Sequence, residues 1–225
     1  MLHALSWYMS ARQTALRSAL SFRAQLSATD QKDLRIHYSA YFLNLLAATE
    51  ILRETTLLPP NHFEAQIYTR LVFSGFQNGE ANYSYVRELR NSVVHRGLDI
   101  TSASHFDNDF PLILAEPAVQ NQSGKRTLVA FDNYLLGVIA KCESVIGIVM
   151  LDCLTAAGVF ETTVDAEASA TENYEAIMKS TAMPDYVKAM ALNIEFKPEW
   201  VEEAHSITLM KLRAALMPCD TKGCS

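Results

Sequence analysis

Apolar side chains recur at helical spacing from the first residues onward. Leu5, Tyr8, Met9, Leu16, Leu20 and Phe22 stand among Arg, Gln and Ser, which predicts a first helix over residues 2–27. Asp30 is a candidate cap for a second helix over 31–57, with Asp33 in its first turn. Its apolar positions, among them Leu34, Tyr38, Tyr41, Phe42, Leu45, Leu46 and Leu52, lie three and four apart, as in a bundle helix. Pro59-Pro60 then stops the run, because proline cannot continue the hydrogen-bond ladder. A third helix fits 63–73. Residues 74–79, with two glycines and an asparagine, read as a turn, and a fourth helix fits 82–96.

The texture changes after Gly97. Residues 99–122 carry Pro111, Pro117, Asn and Ser with no helical period. The apolar stretches 112–114 and 127–130 flank a turn-rich segment, 121–125, and predict one short β-hairpin or else a long structured loop. Asp132 is placed to cap an apolar helix reaching residue 157, the predicted central core helix, which Gly158 closes. Beyond it, helical stretches at 167–179, 185–194 and 199–217 are separated by 181–184 and by Phe196-Lys197-Pro198. The expectation is an all-α protein with an irregular or hairpin insertion: a helical bundle over 1–160, a C-terminal helical appendage over 161–217 and a flexible tail over 218–225.

Composition supports a packed core, with 49% hydrophobic and 20% charged residues over 225 positions. The net charge of −6 argues against an extended basic surface for long duplex nucleic acid, while leaving room for a local basic site. Arg12, Arg17 and Arg23 interrupt the N-terminal region, so no signal peptide is evident there. Lys141, Glu143 and Asp152 interrupt the apolar run 134–160, which fits a core helix better than a membrane span. A cytoplasmic protein without membrane partners is expected. Cys142 and Cys153 read as buried thiols, and Cys219 and Cys224 have no metal-ligand spacing, so neither metal nor cofactor is called for.

The candidate chemistry sits in the fourth helix. Val86, Leu89 and Val93 make its apolar stripe, and His95 falls roughly opposite. Asn91 and His95 are one turn apart on one face. Arg90 and His95, five apart, are separated by about 140° on a straight helix. They meet at one target only if the helix bends, if the long arginine wraps round, or if a second copy completes the site. A cation pair near a helix C-terminus also complements the helix dipole, and Gly97 is an ordinary cap, so position alone does not require a site. Arg87 and Arg96 flank the group as substrate contacts or surface charge, and Glu50 is a candidate partner for Arg90 across the bundle. His37 and His62 lie beside caps and turns and read as structural. His105, near Asp107 and Asp109, suggests weak metal capture at most, and His3 and His205 have no companions.

Arg90-Asn91-Ser92-Val93-Val94-His95 resembles the R-N-x-x-x-H signature of the HEPN superfamily, the higher eukaryotes and prokaryotes nucleotide-binding domains. The resemblance covers residues 1–158 by architecture and six residues by motif. It implies a bundle of four or five helices whose Arg90, Asn91 and His95 are catalytic. It also implies a metal-independent endoribonuclease, a toxin or an effector of antiviral defence, whose site forms where two units meet in a homodimer. Members paired with nucleotidyltransferase antitoxins often carry a tyrosine two places after the histidine. Gly97 stands there, so that partner is not carried over, and an antitoxin or regulatory protein of another kind stays among the implied partners. The alternative is a HEPN-like module that binds nucleotide, RNA or protein without cleaving.

The residue types suit such chemistry. RNA carries its own nucleophile, the 2′-hydroxyl, so cleavage needs a base, an acid and a cation for the crowded phosphorane. Histidine, with an ordinary pKa of about 6.5, serves either proton transfer. Arginine stays charged and donates two parallel hydrogen bonds to phosphate.

Overall fold

The computed structural model describes residues 1–193 and 197–219. It is mainly α-helical, with eight α-helices and two small antiparallel sheets among the described residues. Helix α1 (Leu2–Leu20) and helix α2 (Ala28–Glu54) pack on each other along their length. α1 stops at Leu20, well before residue 27, because the chain turns to meet other groups. Arg23 donates to the carbonyls of Leu20 (2.8 Å) and Phe22 (2.7 Å), and the Ala24 N–H donates to Asp109 O (2.7 Å). α2 starts one turn earlier than Asp30 alone suggests. Ser27 is its N-cap, and Asp30 closes a capping box by accepting from the Ser27 N–H at 2.8 Å.

Helix α3 (His62–Arg70) buries Phe63 and Ile67, and helix α4 (Gly79–Arg96) follows it after a turn. These two approach closely only because Gly79 lacks a side chain: a Cβ there would stand 2.0 Å from Tyr68 O. Asn78 caps α4 by accepting from the Ala81 N–H (2.9 Å). At the other end Gly97 is left-handed (φ 70°), and the Leu98 N–H donates to Ser92 O (3.1 Å).

The segment after Gly97 forms two hairpins, where one was expected. Strand β1 (Ser104–Asp107) pairs with β2 (Phe110–Ile113), and β3 (Ala118–Gln120) pairs with β4 (Thr127–Val129). Leu112 and Ile113 therefore pair with the chain before them instead of with 127–130. The reason is a two-residue turn at Asn108-Asp109, both at positive φ (47° and 67°), a conformation that Asn and Asp tolerate and that matches strand twist. Val119 and Leu128 face each other in the second hairpin and are its buried positions.

Helix α5 (Leu135–Ala156) is the central helix. Val138, Ile139, Cys142, Ile146 and Met150 are all buried. Its N-cap is Tyr134; Asp132 accepts from the Tyr134 N–H (3.0 Å) and from Lys141 Nζ (2.9 Å) over the first turn. A short 3-10 turn, Val159–Glu161, leads to helices α6 (Ala166–Lys179), α7 (Asp185–Leu192) and α8 (Pro198–Leu216). α6 buries only Ala166 and α7 buries nothing, but α8 returns to the bundle. Its Leu212, Ala215 and Leu216 belong to the main core and pack against α1 and α5. Gly147 permits this, since a Cβ would lie 2.1 Å from Leu216 O. Phe196, of the predicted break before α8, residue 194 at the predicted end of α7, and Cys224 with residues 220–225 lie outside the described residues.

A buried polar knot fastens this junction. Arg12 and Glu143, almost wholly enclosed, face each other at 3.0 Å. Glu143 also accepts from the Tyr41 hydroxyl and the Cys219 N–H, each at 2.8 Å. Arg12 Nη2 donates to Ala215 O (3.0 Å) and Met217 O (3.2 Å), whereas its Nε has no acceptor among the described residues. Burial, reinforced by the neighbouring carboxylate, pushes the Tyr41 phenol well above its ordinary pKa.

Candidate active site

Helix α4 carries the motif, and three contacts set its orientation. Val86 and Leu89 are fully buried, and the Tyr85 hydroxyl donates to Glu116 O at 2.6 Å. α2 runs alongside α4 in the opposite sense. Arg35, near the start of α2, donates to Gly97 O (3.2 Å) and pairs with Asp99 (3.5 Å), while Glu50, near its end, holds Arg90. The opposite flank of α4 is covered by the β3–β4 hairpin. Between these flanks an arc stays open. Winding the helix at about 100° per residue places Arg90, Val94, Arg87, Asn91, His95 and Glu88 on it in that angular order.

The predicted residues divide along this arc. Arg90, at the α2 edge, is mostly enclosed and forms an ion pair with Glu50, so the proposed partnership across the bundle is present. Arg90 Nε is buried without an acceptor among the described residues. Arg87 lies over the Tyr83 ring at 6.0 Å. His95 is exposed to solvent and has no hydrogen-bond or ion-pair partner among the described residues. Asn91 does not orient it directly; its Nδ2 donates to Glu88 Oε1 at 3.3 Å. Arg96 turns to the hairpin flank. It donates to Gln120 O (2.6 Å) and Ser92 Oγ (3.0 Å) and pairs with Glu88 Oε2 (2.8 Å).

Glu88 is therefore a hub that the motif does not mention. Its carboxylate takes Asn91 on one oxygen and Arg96 on the other, and its backbone carbonyl accepts from Ser92 Oγ (2.8 Å). Part of this was readable, since Glu88 stands three before Asn91 and helix neighbours at that spacing meet. The Arg96–Gln120 contact was not, because it depends on where the second hairpin docks.

The remaining histidines have other surroundings. The His37 ring is 6.0 Å from Phe22, His105 is 5.9 Å from Tyr134, and His205 is 3.2 Å from Thr162 O. Among the described residues no group of three or more His, Cys, Asp or Glu side chains is disposed to hold a metal ion. Cys142 and Cys153 are buried, and burial raises both thiols above their ordinary pKa. Among the described residues no helix is long and apolar enough to cross a membrane.

Searches with the whole chain found no matching protein-family model, no match among curated proteins and none among solved structures.

Proposed function

We propose that the open arc of α4 is the active site of a HEPN-type endoribonuclease that cleaves RNA through attack of the 2′-hydroxyl, acting as a toxin or antiviral effector. The observation that carries the reading is the placement of His95 in solvent, one turn beyond Asn91, on the arc whose edge holds Arg90. His95 moves the proton, as base toward the 2′-hydroxyl or as acid toward the departing 5′-oxygen. Arg90, kept in place by Glu50, binds the phosphate with its remaining donors. The 140° between Arg90 and His95 is met by a homodimer in which two α4 helices face one cleft. One His95 then serves as base and the other as acid, with RNA held across the boundary.

The test is cleavage of total RNA with EDTA present. The parent protein should yield fragments ending in 2′,3′-cyclic phosphate, and His95→Ala should yield none while its far-UV circular dichroism is unchanged. Full activity in His95→Ala removes the reading. A second reading, a module that binds RNA or nucleotide without cleaving it, draws on a separate observation: Arg90 and Arg96 each already hold a carboxylate. It predicts no turnover by the parent at any concentration, and binding that Arg90→Ala weakens.

A further inference from the structure

Helix α2 packs on α1 and α4 and buries one side, so its other side should be polar. It is not. Wound at about 100° per residue, Ile36, Ala40, Leu43 and Ala47 fall within an arc of roughly 60°, on the side away from the buried Tyr38 and Leu45. Ile36 is 49% exposed and Leu43 40%. Their spacing of four, three and four is that of a helix–helix seam, and large and small side chains alternate along it.

The pattern is self-complementary. A second copy of α2 laid antiparallel, with the two-fold axis between Ala40 and Leu43, sets Ile36 against Ala47 and Leu43 against Ala40, large into small at each step. The alanines let the two axes approach to roughly 8–10 Å. The ends match as well. Lys32, without an ion-pair partner among the described residues, comes beside Glu50 and Glu54 of the other copy, and each carboxylate holds one arginine with acceptor capacity left. Parallel pairing would instead set lysine against lysine. We infer that the outward face of α2 is an interface occupied by a second copy of this chain, with the two α2 helices antiparallel. This surface supplies the homodimer of the ribonuclease reading, and only its catalytic consequence rests on that reading. The two-fold axis of an antiparallel helix pair stands perpendicular to the plane of both helices, so whatever flanks α2 on one side flanks its mate on the same side. Helix α4 flanks α2 through the Arg90–Glu50 pair, and Val94, 44% exposed, lies beside Arg90 on the open arc. The two α4 helices therefore border one groove, whereas a parallel pair would place them on opposite sides.

Light scattering on the full-length protein across micromolar concentrations, with one surface variant and one cross-link, tests this. The parent should be a dimer. Leu43→Glu should raise the dimer dissociation constant about 100-fold or more while far-UV circular dichroism stays unchanged, because the side chain it replaces is half-exposed. Oxidation of Ile36→Cys/Ala47→Cys should link two chains. Positions 36 and 47 lie about 16 Å apart along one helix, too far to close within it, and neither single variant should link more than the parent does. A monomeric parent, a dimer that survives Leu43→Glu, or single variants that link as readily as the double overturns the inference. A dimer that meets all three expectations yet cleaves no RNA leaves the inference standing and removes the ribonuclease reading.

Discussion

Glu143→Leu isolates the device that holds the last helix to the bundle. The substitution keeps roughly the volume of the side chain but leaves the Arg12 guanidinium enclosed without its counter-charge. It also withdraws the acceptor used by the Tyr41 hydroxyl and the Cys219 N–H. Breaking a buried pair from one side costs about 3–5 kcal/mol, because the surviving charge cannot be rehydrated. The orphaned hydroxyl belongs to the same defect and is not added separately. At roughly 2–4 °C per kcal/mol for a chain of this size, a loss of about 4 kcal/mol lowers Tm by roughly 8–16 °C. Thermal and urea unfolding followed by circular dichroism measure it. Arg12→Met/Glu143→Leu removes both charges, and it should be more stable than Glu143→Leu alone by about 1–3 kcal/mol. Recovery should be incomplete, since the Tyr41 hydroxyl has still lost the acceptor it uses, although Ala215 O and Met217 O keep Gln13 Nε2 as a donor at 3.2 Å. A Glu143→Leu protein within about 1 kcal/mol of the parent would show that water or local rearrangement reaches the guanidinium, and the argument would fail.

Three further outcomes follow from other parts of the molecule. Gly147→Ala places a methyl group against Leu216 O and should cost about 1–3 kcal/mol, with faster limited proteolysis of α8 than of α2; equal stability would mean that α8 does not sit as described. Burial raises the pKa of Tyr41, Tyr83 and Tyr85 in the folded protein, so above pH 10 the unfolded chain releases protons that the folded chain keeps. Stability should therefore fall as pH rises past 10, with phenolate absorbance of these residues growing together with unfolding; their ionisation in a still-folded protein contradicts this. Finally, inactive Arg90→Ala and inactive His95→Ala proteins, mixed under conditions of subunit exchange, should regain partial RNA cleavage if each cleft takes its arginine and histidine from different chains. Cleavage by a parent protein that light scattering shows to be monomeric refutes the shared cleft.

The helices were legible because each has a local cause. Periodicity predicted α2 to α5, Pro59-Pro60 and Gly97 predicted their breaks, and Arg90, Asn91 and His95 could be placed on faces by counting. What stayed hidden depends on partners remote in sequence. α1 ends early because Arg23 and the Asp109 carbonyl draw the chain away, a contact across more than 80 residues that no window contains. The hairpins were misread because apolar strands were matched across the more obvious turn, whereas Asn108-Asp109 makes the tighter one. Arg12 shares a stripe with Leu5, Met9 and Leu16, so its burial was implicit in the spacing. The carboxylate that makes that burial tolerable lies in α5, and only the folded chain shows it.

The candidate site itself turns on what Arg90 of the motif and Arg96 beside it have left to give. A guanidinium has five N–H donors. In Arg90, Nη2 is committed to Glu50 and Nε is enclosed, so among the described residues the two protons of Nη1 and the second proton of Nη2 are uncommitted. That suffices for a phosphate held by directed hydrogen bonds, but the pair as a whole carries no net charge. Arg96 is more fully spent on Glu88, Ser92 and Gln120. A site built this way does not gather RNA by a broad positive field, which agrees with a chain of net charge −6. Under the proposed ribonuclease reading, selectivity would come from fit: a phosphate that reaches Nη1 of Arg90 while its ribose reaches His95. On one straight helix these two demands point in directions about 140° apart, so a single copy meets them only with a bend or a wrapped arginine. Two copies facing each other meet them without distorting either helix. The neutralised arginine thus favours a composite cleft on the same grounds as the angle does, since proximity and direction must supply what charge does not.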